Sequence, residues 1–280
     1  MSSDQQPFAR RPPAPPLRAF VDGYVGYRVD GVPGAVHRGL PSRHLTMIVA
    51  VGEPIAVVAH TDPAQPPDAY HFALGGLQVT PALIDAGRRQ EGVTVQLTPL
   101  GARTLLGLRP RELWNTTVEA EEVLGGAARE LHERVQEAPT WAERFAACDE
   151  VLGRVLGGAP PLPAPLRHAW ELLVASHGTV GVAALADEVG WSRRHLTQRF
   201  RDEFGLSPKA AGRVIRFDRA RRLLASPQRP SLAEVAAVCG YADQPHLTRE
   251  FARLAGCPPA AWLSAEHPFV QDGAAEAVPR

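Results

Sequence analysis

Two copies of one motif near the C-terminal end of the chain carry side chains suited to nucleic-acid recognition. The first copy occupies residues 190–208 and the second residues 240–259. Both contain a glycine followed by an aromatic residue, a His-Leu-Thr-x-x-Phe core and a Gly-x-x-Pro exit, and the second has one extra residue in its turn. Arginine and glutamine can bind base edges bidentately, and arginine also neutralises phosphates. The duplicated motif therefore predicts binding to double-stranded DNA.

Two helix-turn-helix units must position these side chains. Each motif glycine follows a short apolar-periodic helix, and a turn with positive φ suits a residue without a Cβ. Ser192 and Asp243 are the predicted N-caps of the helices that follow, termed here the reading helices. Each reading helix has two core-facing residues four positions apart, which are Leu196 with Phe200 and Leu247 with Phe251.

The remaining C-terminal elements follow from the same periodicity. The predicted helices before the second turn are Leu166–Ser176, Val182–Val189, Arg193–Glu203 and Pro208–Ala225. Ser231 and Glu234 form a capping box that opens the second unit. The side chains left facing outward on the reading helices are Arg194, Thr197, Gln198 and Arg201 in the first, and Gln244, His246, Thr248 and Arg249 in the second. The polar side of the long helix carries Arg213, Arg216, Arg219, Arg221 and Arg222.

Charge is unevenly distributed along the 280 residues, although the formal net charge is zero. Residues 1–165 carry a net charge of −3 and residues 166–264 a net charge of +5. A basic half joined to an acidic half is expected of a DNA-binding module attached to a domain with another role. Three cysteines without metal-ligand spacing favour a reducing cytoplasm, and we expect neither a secretory leader nor a membrane span.

The N-terminal half predicts a β-rich domain. Residues 1–16 are proline-rich and are expected to form a flexible tail. Short alternating runs then predict strands in an antiparallel sheet or small barrel, namely Leu45–Val51, Ile55–Ala59, Gly76–Thr80 and Gly92–Thr98. Leu100–Leu108 is interpreted as either a strand or a turn-rich closing segment.

Helical spacing begins after Trp114. Helices are predicted over Val118–Ala138 and Trp141–Leu156, the second capped by Thr140 with Glu143. This pair forms either the cover of the β domain or a dimer surface, and Trp114 and Trp141 are expected to pack it. Glycine and proline over residues 157–165 indicate a linker.

Residues 166–264 resemble the DNA-binding domain of the AraC/XylS family of bacterial transcription regulators. The resemblance rests on the doubled His-Leu-Thr-x-x-Phe and departs from the family pattern at Pro245 and Leu247. It implies seven helices, with both reading helices in successive major grooves. It also implies a cytoplasmic regulator with RNA polymerase as a partner. The resemblance favours an activator, although the sequence leaves the sign of regulation open.

The resemblance assigns roles to the outward side chains. Base-reading candidates are Arg193, Arg194, Thr197, Gln198, Gln244, His246, Thr248 and Arg249, and phosphate-binding candidates are Arg199, Arg201, Arg216 and Arg253. The N-terminal half resembles the sensor-like domains of some AraC-type regulators, which implies a small-molecule effector, a homodimer or both. We predict no catalytic residue, metal or cofactor. A metal-ligand set on facing strands is left open for four histidines, namely His37, His44, His60 and His71. A redox role is left open for Cys148, on a helix that is expected to be half exposed. Cys239 is expected to be buried.

The sequence therefore predicts an α+β protein rather than an enzyme. A barrel-like β domain with a helical pair (17–156) precedes a linker (157–165), an all-α domain of two helix-turn-helix units joined by a long helix (166–264) and a flexible tail (265–280). The predicted function is sequence-specific, effector-controlled transcription regulation. One alternative is a constitutive dimeric regulator without an effector. A remote alternative, fusion to a DNA-repair alkyltransferase, is disfavoured because residues 1–147 contain no acceptor cysteine.

Overall fold

The computed structural model describes residues 7–31, 34–157, 162–228 and 230–265. Strands dominate the N-terminal half of these residues. They are β1 (Phe8–Arg11), β2 (Val21–Asp30), β3 (Val36–Gly39), β4 (Leu45–Ala50), β5 (Ile55–Ala59), β6 (Asp68–Tyr70), β7 (Phe72–Gly75), β8 (Ala82–Asp85), β9 (Arg89–Leu97) and β10 (Thr117–Glu119). They form two sheets with the orders β1-β2-β9-β4-β7-β10 and β3-β8-β5-β6.

The larger sheet uses its two faces differently. On β4, Leu45, Met47 and Val49 are fully buried in the main core. Thr46 and Ile48, on the opposite face, line a cavity between the two sheets. Because successive side chains of a strand point to opposite faces, one strand serves both a packed core and a cavity. The predicted α+β fold with a barrel-like N-terminal domain is confirmed.

Four α-helices accompany the sheets among the described residues, namely α1 (Pro99–Leu106), α2 (Glu121–Leu124), α3 (Gly126–Glu137) and α4 (Trp141–Arg154). Leu131 and Val135 of α3 and Phe145 and Leu152 of α4 are buried in the main core. Their outer faces carry exposed ion pairs, including Arg134 with Glu150. The helical pair is therefore a cover of the β domain. The predicted capping box of Thr140 and Glu143 is confirmed.

A buried ion pair fastens α4 to the larger sheet. Arg144 donates to Glu91 of β9 at 2.6 Å, and Glu91 also accepts from Arg28 of β2. The hydrogen bonds from Arg28 and Arg144 lower the pKa of Glu91 to about 2. Cys148, on the same helix, is fully buried, and burial raises the pKa of its thiol to about 12. The helix is exposed on one face, as expected, but Cys148 lies on its buried face, so a low-pKa redox thiol has no basis there.

Part of the expected flexible tail is ordered. Residues 8–11 form β1, which pairs antiparallel with β2. Arg11 forms an ion pair with Asp149 of α4, and the amide of Ala14 donates to the same carboxylate at 2.8 Å. Leu17 then enters the main core. The prediction of a flexible tail from the proline-rich composition is wrong for residues 8–17, because the partners that order them, β2 and Asp149, lie far away in the sequence. Residues 1–6 lie outside the described residues.

Three further predictions in the β domain are wrong. Gly76–Thr80 is a loop after β7, because Leu77 turns into the core and the amide of Gly76 donates to Thr116. Leu100–Leu108 is neither strand nor turn, since Thr98 caps α1 and Pro99 begins it. Residues 118–138 divide into β10, α2 and α3, because Val118 pairs with β7 and Gly125 separates the two helices.

Seven helices follow among the described residues. They are α5 (Ala164–Ala175), α6 (Val182–Glu188), α7 (Arg193–Phe204), α8 (Pro208–Ala225), α9 (Leu232–Val238), α10 (Gln244–Ala255) and α11 (Pro259–Ala265). The bounds predicted for the long helix α8 are confirmed, and α5, α6 and α7 begin and end within two residues of their predicted bounds.

The two helix-turn-helix units belong to different cores. Leu196 and Phe200 of the first unit lie in the main core, which continues into the β domain. Trp170 of α5 stacks on Phe200 with ring centroids 6.0 Å apart. In the second unit, Leu247 and Phe251 belong to a separate core together with Phe217 of α8. The first unit is therefore built onto the N-terminal domain, whereas the second has its own hydrophobic centre.

A buried ion pair joins the first reading helix to the N-terminal domain. Arg103 of α1 donates to both carboxylate oxygens of Glu203 on α7, at 2.6 and 2.7 Å. Their side chains are only 15% and 5% exposed. Trp114 packs against Gly205 at the end of α7, rather than against the helical pair as expected. The second unit meets the same domain more lightly, through Leu40 and Val79.

The expected linker and C-terminal tail are described only at their edges. Leu162 is buried in the main core, and residues 158–161 and 266–280 lie outside the described residues. Over the part of the chain that the structure describes, no helix combines the length and apolar character needed to cross a bilayer.

The Arg103–Glu203 pair predicts an asymmetric response to mutation. Glu203→Ala removes the carboxylate that accepts two hydrogen bonds from the largely buried Arg103 guanidinium, so urea titration should show a loss of about 3–5 kcal/mol in the free energy of unfolding. The exposed pair Arg109–Glu112 is the control, and Glu112→Ala should cost about 0–1 kcal/mol. Replacing both partners, as Arg103→Met with Glu203→Leu, should restore most of the stability. An equal loss in Glu203→Ala and Glu112→Ala would contradict the assignment.

Candidate nucleic-acid interface and internal cavity

The first unit consists of α6, a tight turn and the reading helix α7. Gly190 has φ of 69°, and the next amide, that of Trp191, donates back to Ala186 of α6. The side chain of Ser192 accepts from the amide of His195 and so caps α7. Leu196 and Phe200 are buried, which turns the opposite face of α7 to solvent.

The outer face of α7 is cationic. Arg193, Arg194, Arg199 and Arg201 are exposed, and among the described residues none of them forms an ion pair. The hydroxyl of Thr197 donates to the carbonyl of Arg193 at 2.8 Å. Gln198 is exposed and donates to Asp202 at 3.0 Å. Both polar groups keep part of their hydrogen-bonding capacity for an external partner.

The second unit repeats this construction in α9, a turn and α10. Ser231 and Glu234 form the predicted capping box of α9, and Gly240 has φ of 71°. Asp243 accepts from the amide of His246 at 2.6 Å and so caps α10, the second reading helix. Pro245 occupies the first turn of α10, where a helix amide has no intrahelical partner in any case.

The outer face of α10 offers fewer cations. Gln244, Arg249 and Arg253 are exposed, whereas Thr248 is half-buried. His246 is also half-buried, since its Nδ1 accepts from the amide of Ala242 at 3.2 Å. One ring nitrogen of His246 therefore serves the turn, and only Nε2 is left to face a partner.

Aligning the two capping residues shows that the units are not equivalent. Arg194 of α7 corresponds to Pro245 of α10, and Gln198 corresponds to Arg249. Arg199 corresponds to Glu250, a residue that forms an ion pair with Arg213 of α8 at 2.7 Å. The pattern of donors and acceptors thus differs at these three positions. The two helices therefore present different sets of hydrogen-bonding groups to a partner.

The arginines of α8 are largely engaged within the protein. Arg216, a phosphate candidate, is half-buried with its guanidinium 5.5 Å from the ring centre of Tyr241. Arg219 donates to the carbonyl of Val238 at the end of α9. Arg221 and Arg222 both pair with the buried Asp218 at 3.0 Å. The contacts of Arg216 and Arg219 tie the second unit to the long helix, whereas the Asp218 pairs lie within α8. The one-dimensional pattern does not reveal this arrangement.

Sequence reasoning missed an internal cavity between the two sheets. Three connected lobes of about 150, 90 and 70 Å³ share Ile48 and Ile84 in their walls. The largest lobe, lined by His37, Arg38 and His44, also receives Arg221 of α8 and Trp262 of α11. Among the described residues, no acidic side chain lines any of the three lobes. The adjacent residues His37 and Arg38 of β3 are a sequence signal for a basic wall. No sequence signal indicated that Arg221 and Trp262, which are far away in the chain, would join it.

The four histidines considered as metal ligands are separated. His44 pairs with Asp22 at 2.8 Å, and His60 lies 3.2 Å from the hydroxyl of Tyr70. His71 packs against His132, and His37 lines the cavity. Within the described ranges, no three potential metal ligands are grouped.

The two glycine turns predict a matched pair of effects. Gly190→Ala should cost about 1–2 kcal/mol, because φ is positive but nothing lies within 4 Å of the added methyl. Gly240→Ala should cost more, because its methyl would also lie 2.8 Å from Cγ2 of Thr179. Thermal unfolding measures both losses. Adding Thr179→Ser, which removes that Cγ2, should return Gly240→Ala to the level of Gly190→Ala, and a persistent gap would contradict this explanation.

The C-terminal helices match a known domain family. A family model described as a helix-turn-helix domain matches residues 185–265, which include both turns and both reading helices. A comparison with curated protein sequences finds no significant match.

Solved structures of ToxT from Vibrio cholerae are similar in fold along most of the chain. An apo variant of ToxT has a TM-score of 0.53 and 13% identity, over 86% of this chain and 97% of that one. A 1.65 Å structure of ToxT has a TM-score of 0.51 and 13% identity, over 93% and 99%. Wild-type ToxT bound to an unsaturated fatty acid has a TM-score of 0.50 and 14% identity, over 90% and 97%. The matched domain and the fold support DNA-binding transcription regulation.

Proposed function

Because residues 185–265 form an AraC-type helix-turn-helix domain, we propose that this chain is a sequence-specific transcription regulator controlled by a small acidic molecule. The observation that carries the proposal is the pair of capped reading helices with exposed arginines. Both α7 and α10 insert into successive major grooves of B-form DNA. The protein acts in the cytoplasm, and its further partners are RNA polymerase and a second copy of the chain.

Base recognition falls mainly to the side chains that reach furthest outward. Arg194 of α7 and Arg249 of α10 can each bind O6 and N7 of guanine, and Gln198 and Gln244 can pair with adenine. Arg193, Thr197, His246 and Thr248 supplement these contacts. Because the position of Arg194 is occupied by Pro245 in α10, the first unit contributes more to the sequence specificity of DNA binding.

Phosphate binding falls to Arg199, Arg201 and Arg253, which are exposed at the flanks of the reading helices. Their charge fixes the position of the protein on the duplex without reading bases. Arg216 is a weaker candidate than the sequence suggested, since it lies against Tyr241 and would have to leave that ring.

Separate roles for two arginines of α7 yield the first test. Arg194→Ala should reduce the preference for a selected operator over a scrambled duplex by about 1–3 kcal/mol, measured by fluorescence anisotropy. Arg201→Ala is the matched control on the same helix. It should weaken both duplexes alike and make the slope of log K against log salt shallower by about 0.9. Unchanged selectivity in Arg194→Ala would refute its base-reading role.

The effector is a small amphiphilic carboxylate held in the cavity between the sheets. Its carboxylate lies by Arg221 in the largest lobe, and its apolar part lies against Ile48 and Ile84. The absence of acidic side chains from the lobes that are described favours an anion. Two ToxT structures hold carboxylic acids, an unsaturated fatty acid and a naphthalenyl butenoic acid, which supports this class of ligand.

Arg221 gives such a ligand a route to the DNA-binding units. Burial opposes the charge of Asp218, but Arg221 and Arg222 keep its pKa lowered, so that two cations share one carboxylate. A ligand carboxylate takes the remaining positive charge and draws Arg221 toward the β domain. Since α8 joins the two units, this changes their relative freedom by a coupling of about 1–3 kcal/mol.

Octanoate is a suitable probe for this cavity. At a hundred times its Kd it should add about 2.7 kcal/mol to the stability of the protein, measured by thermal shift. Ile48→Phe, which fills the wall shared by the three lobes, should abolish the shift while leaving the fold intact by circular dichroism. Lys209→Ala, on the exposed surface of α8, should leave it unchanged. If octanoate and related carboxylates bind neither the native protein nor Lys209→Ala, the chain is better described as a constitutive regulator without an effector.

A further inference from the structure

A second cavity lies outside the β domain, at its junction with α5. It has a volume of about 310 Å³. Ala19, Pro99 and Leu100 of the N-terminal domain form one wall. Leu162 and the α5 residues Trp170 and Val174 form the other. This junction cleft is therefore shared between the two halves of the chain and is mostly apolar.

One end of the junction cleft is a built polar group. His44, buried to more than nine-tenths, donates from its ring to Asp22 at 2.8 Å, and Arg43 donates to the same carboxylate oxygen at 2.5 Å. The hydrogen bond from His44, aided by the charge of Arg43, holds the pKa of Asp22 well below its usual range. Asp22 is thus an ionised acceptor whose second oxygen, Oδ1, has no hydrogen bond among the described residues.

The charges around the junction cleft are balanced. Asp22 and Glu171 are its acidic side chains, and Arg43 and Arg167 its fixed cations. A carboxylate entering the cleft meets no net attraction and would lie close to Asp22. A hydroxyl group, in contrast, can donate to the free carboxylate oxygen. The cleft thus differs from the cavity between the two sheets, termed here the barrel cavity, whose lobes are lined by basic groups and, among the described residues, by no acid.

The volume indicates the size of the occupant. An engineered apolar cavity of about 150 Å³ binds benzene. The junction cleft has about twice that volume, and its walls are aliphatic and aromatic. A molecule of about eight to ten heavy atoms with one polar end therefore fits it.

We propose that the junction cleft binds an uncharged, mostly apolar alcohol or phenol, whose hydroxyl donates to Asp22 and whose body packs between Leu100 and α5. The occupant contacts both domains, so it stabilises their docked arrangement. His44 lines this cleft and the barrel cavity alike, so the two sites share one wall.

A matched pair of probes separates the two sites. 1-Octanol and octanoate have chains of equal length but differ in charge, and isothermal titration calorimetry on the full chain measures each. Val174→Phe, which fills the junction cleft, should weaken 1-octanol by at least about tenfold through overpacking and leave octanoate unchanged. Ile48→Phe, which fills the barrel cavity, should leave 1-octanol unchanged.

Other results would overturn the proposal. The proposal is wrong if 1-octanol does not bind the native chain. It is also wrong if Ile48→Phe abolishes the binding of 1-octanol while Val174→Phe retains it. Because octanoate reports only on the barrel cavity, failure of the proposed effector is distinguishable from failure of this site. Circular dichroism of both phenylalanine variants controls for misfolding. Asp22→Asn removes the charge of the proposed acceptor with little change in volume, so it should weaken binding of 1-octanol and spare binding of n-nonane, which has the same length but no hydroxyl.

Discussion

The hydrophobic core that runs from the larger sheet through α5 into α7 is the interaction on which the rest of the molecule depends. Leu196 and Phe200, which hold the first reading helix in place, pack in the same core as the inward residues of β4 and β9. The Arg103–Glu203 pair adds a directional contact at the edge of that core. A shared core leaves little room for independent motion, so the orientation of α7 is tied to the N-terminal domain.

The second unit is held differently, and this difference shapes how the chain can respond to a signal. Its core is separate from the main core but includes Phe217 of α8, which packs against Phe251 of α10. The ion pair of Arg213 with Glu250 and the bond from Arg219 to Val238 add polar contacts to the same helix. Because α10 packs on α8 and only lightly on the β domain, a shift of α8 is expected to carry α10 with it while α7 stays with the main core.

The two cavities lie on either side of His44 but have opposite chemistry. The barrel cavity is basic and extends between the sheets, whereas the junction cleft is apolar with balanced charges. Each includes residues from both halves of the chain, since Arg221 and Trp262 reach the first and α5 lines the second. A ligand in either cavity would interact directly with the elements that position the reading helices. The proposed control of DNA binding would then require no long pathway through the protein.

The sequence by itself determined the elements whose signals are local. Caps, glycine turns and helical periodicity depend on residues within one or two turns of helix, so the C-terminal helices and both outward faces could be predicted from spacing. The tertiary structure decided what depends on distant partners. Residues 8–11 form a strand because they pair with β2. Most of the segment Leu100–Leu108 is helical, because the apolar side of α1 packs into the core. Both cavities arise where segments far apart in the chain meet, and spacing along one segment contains no information about the other.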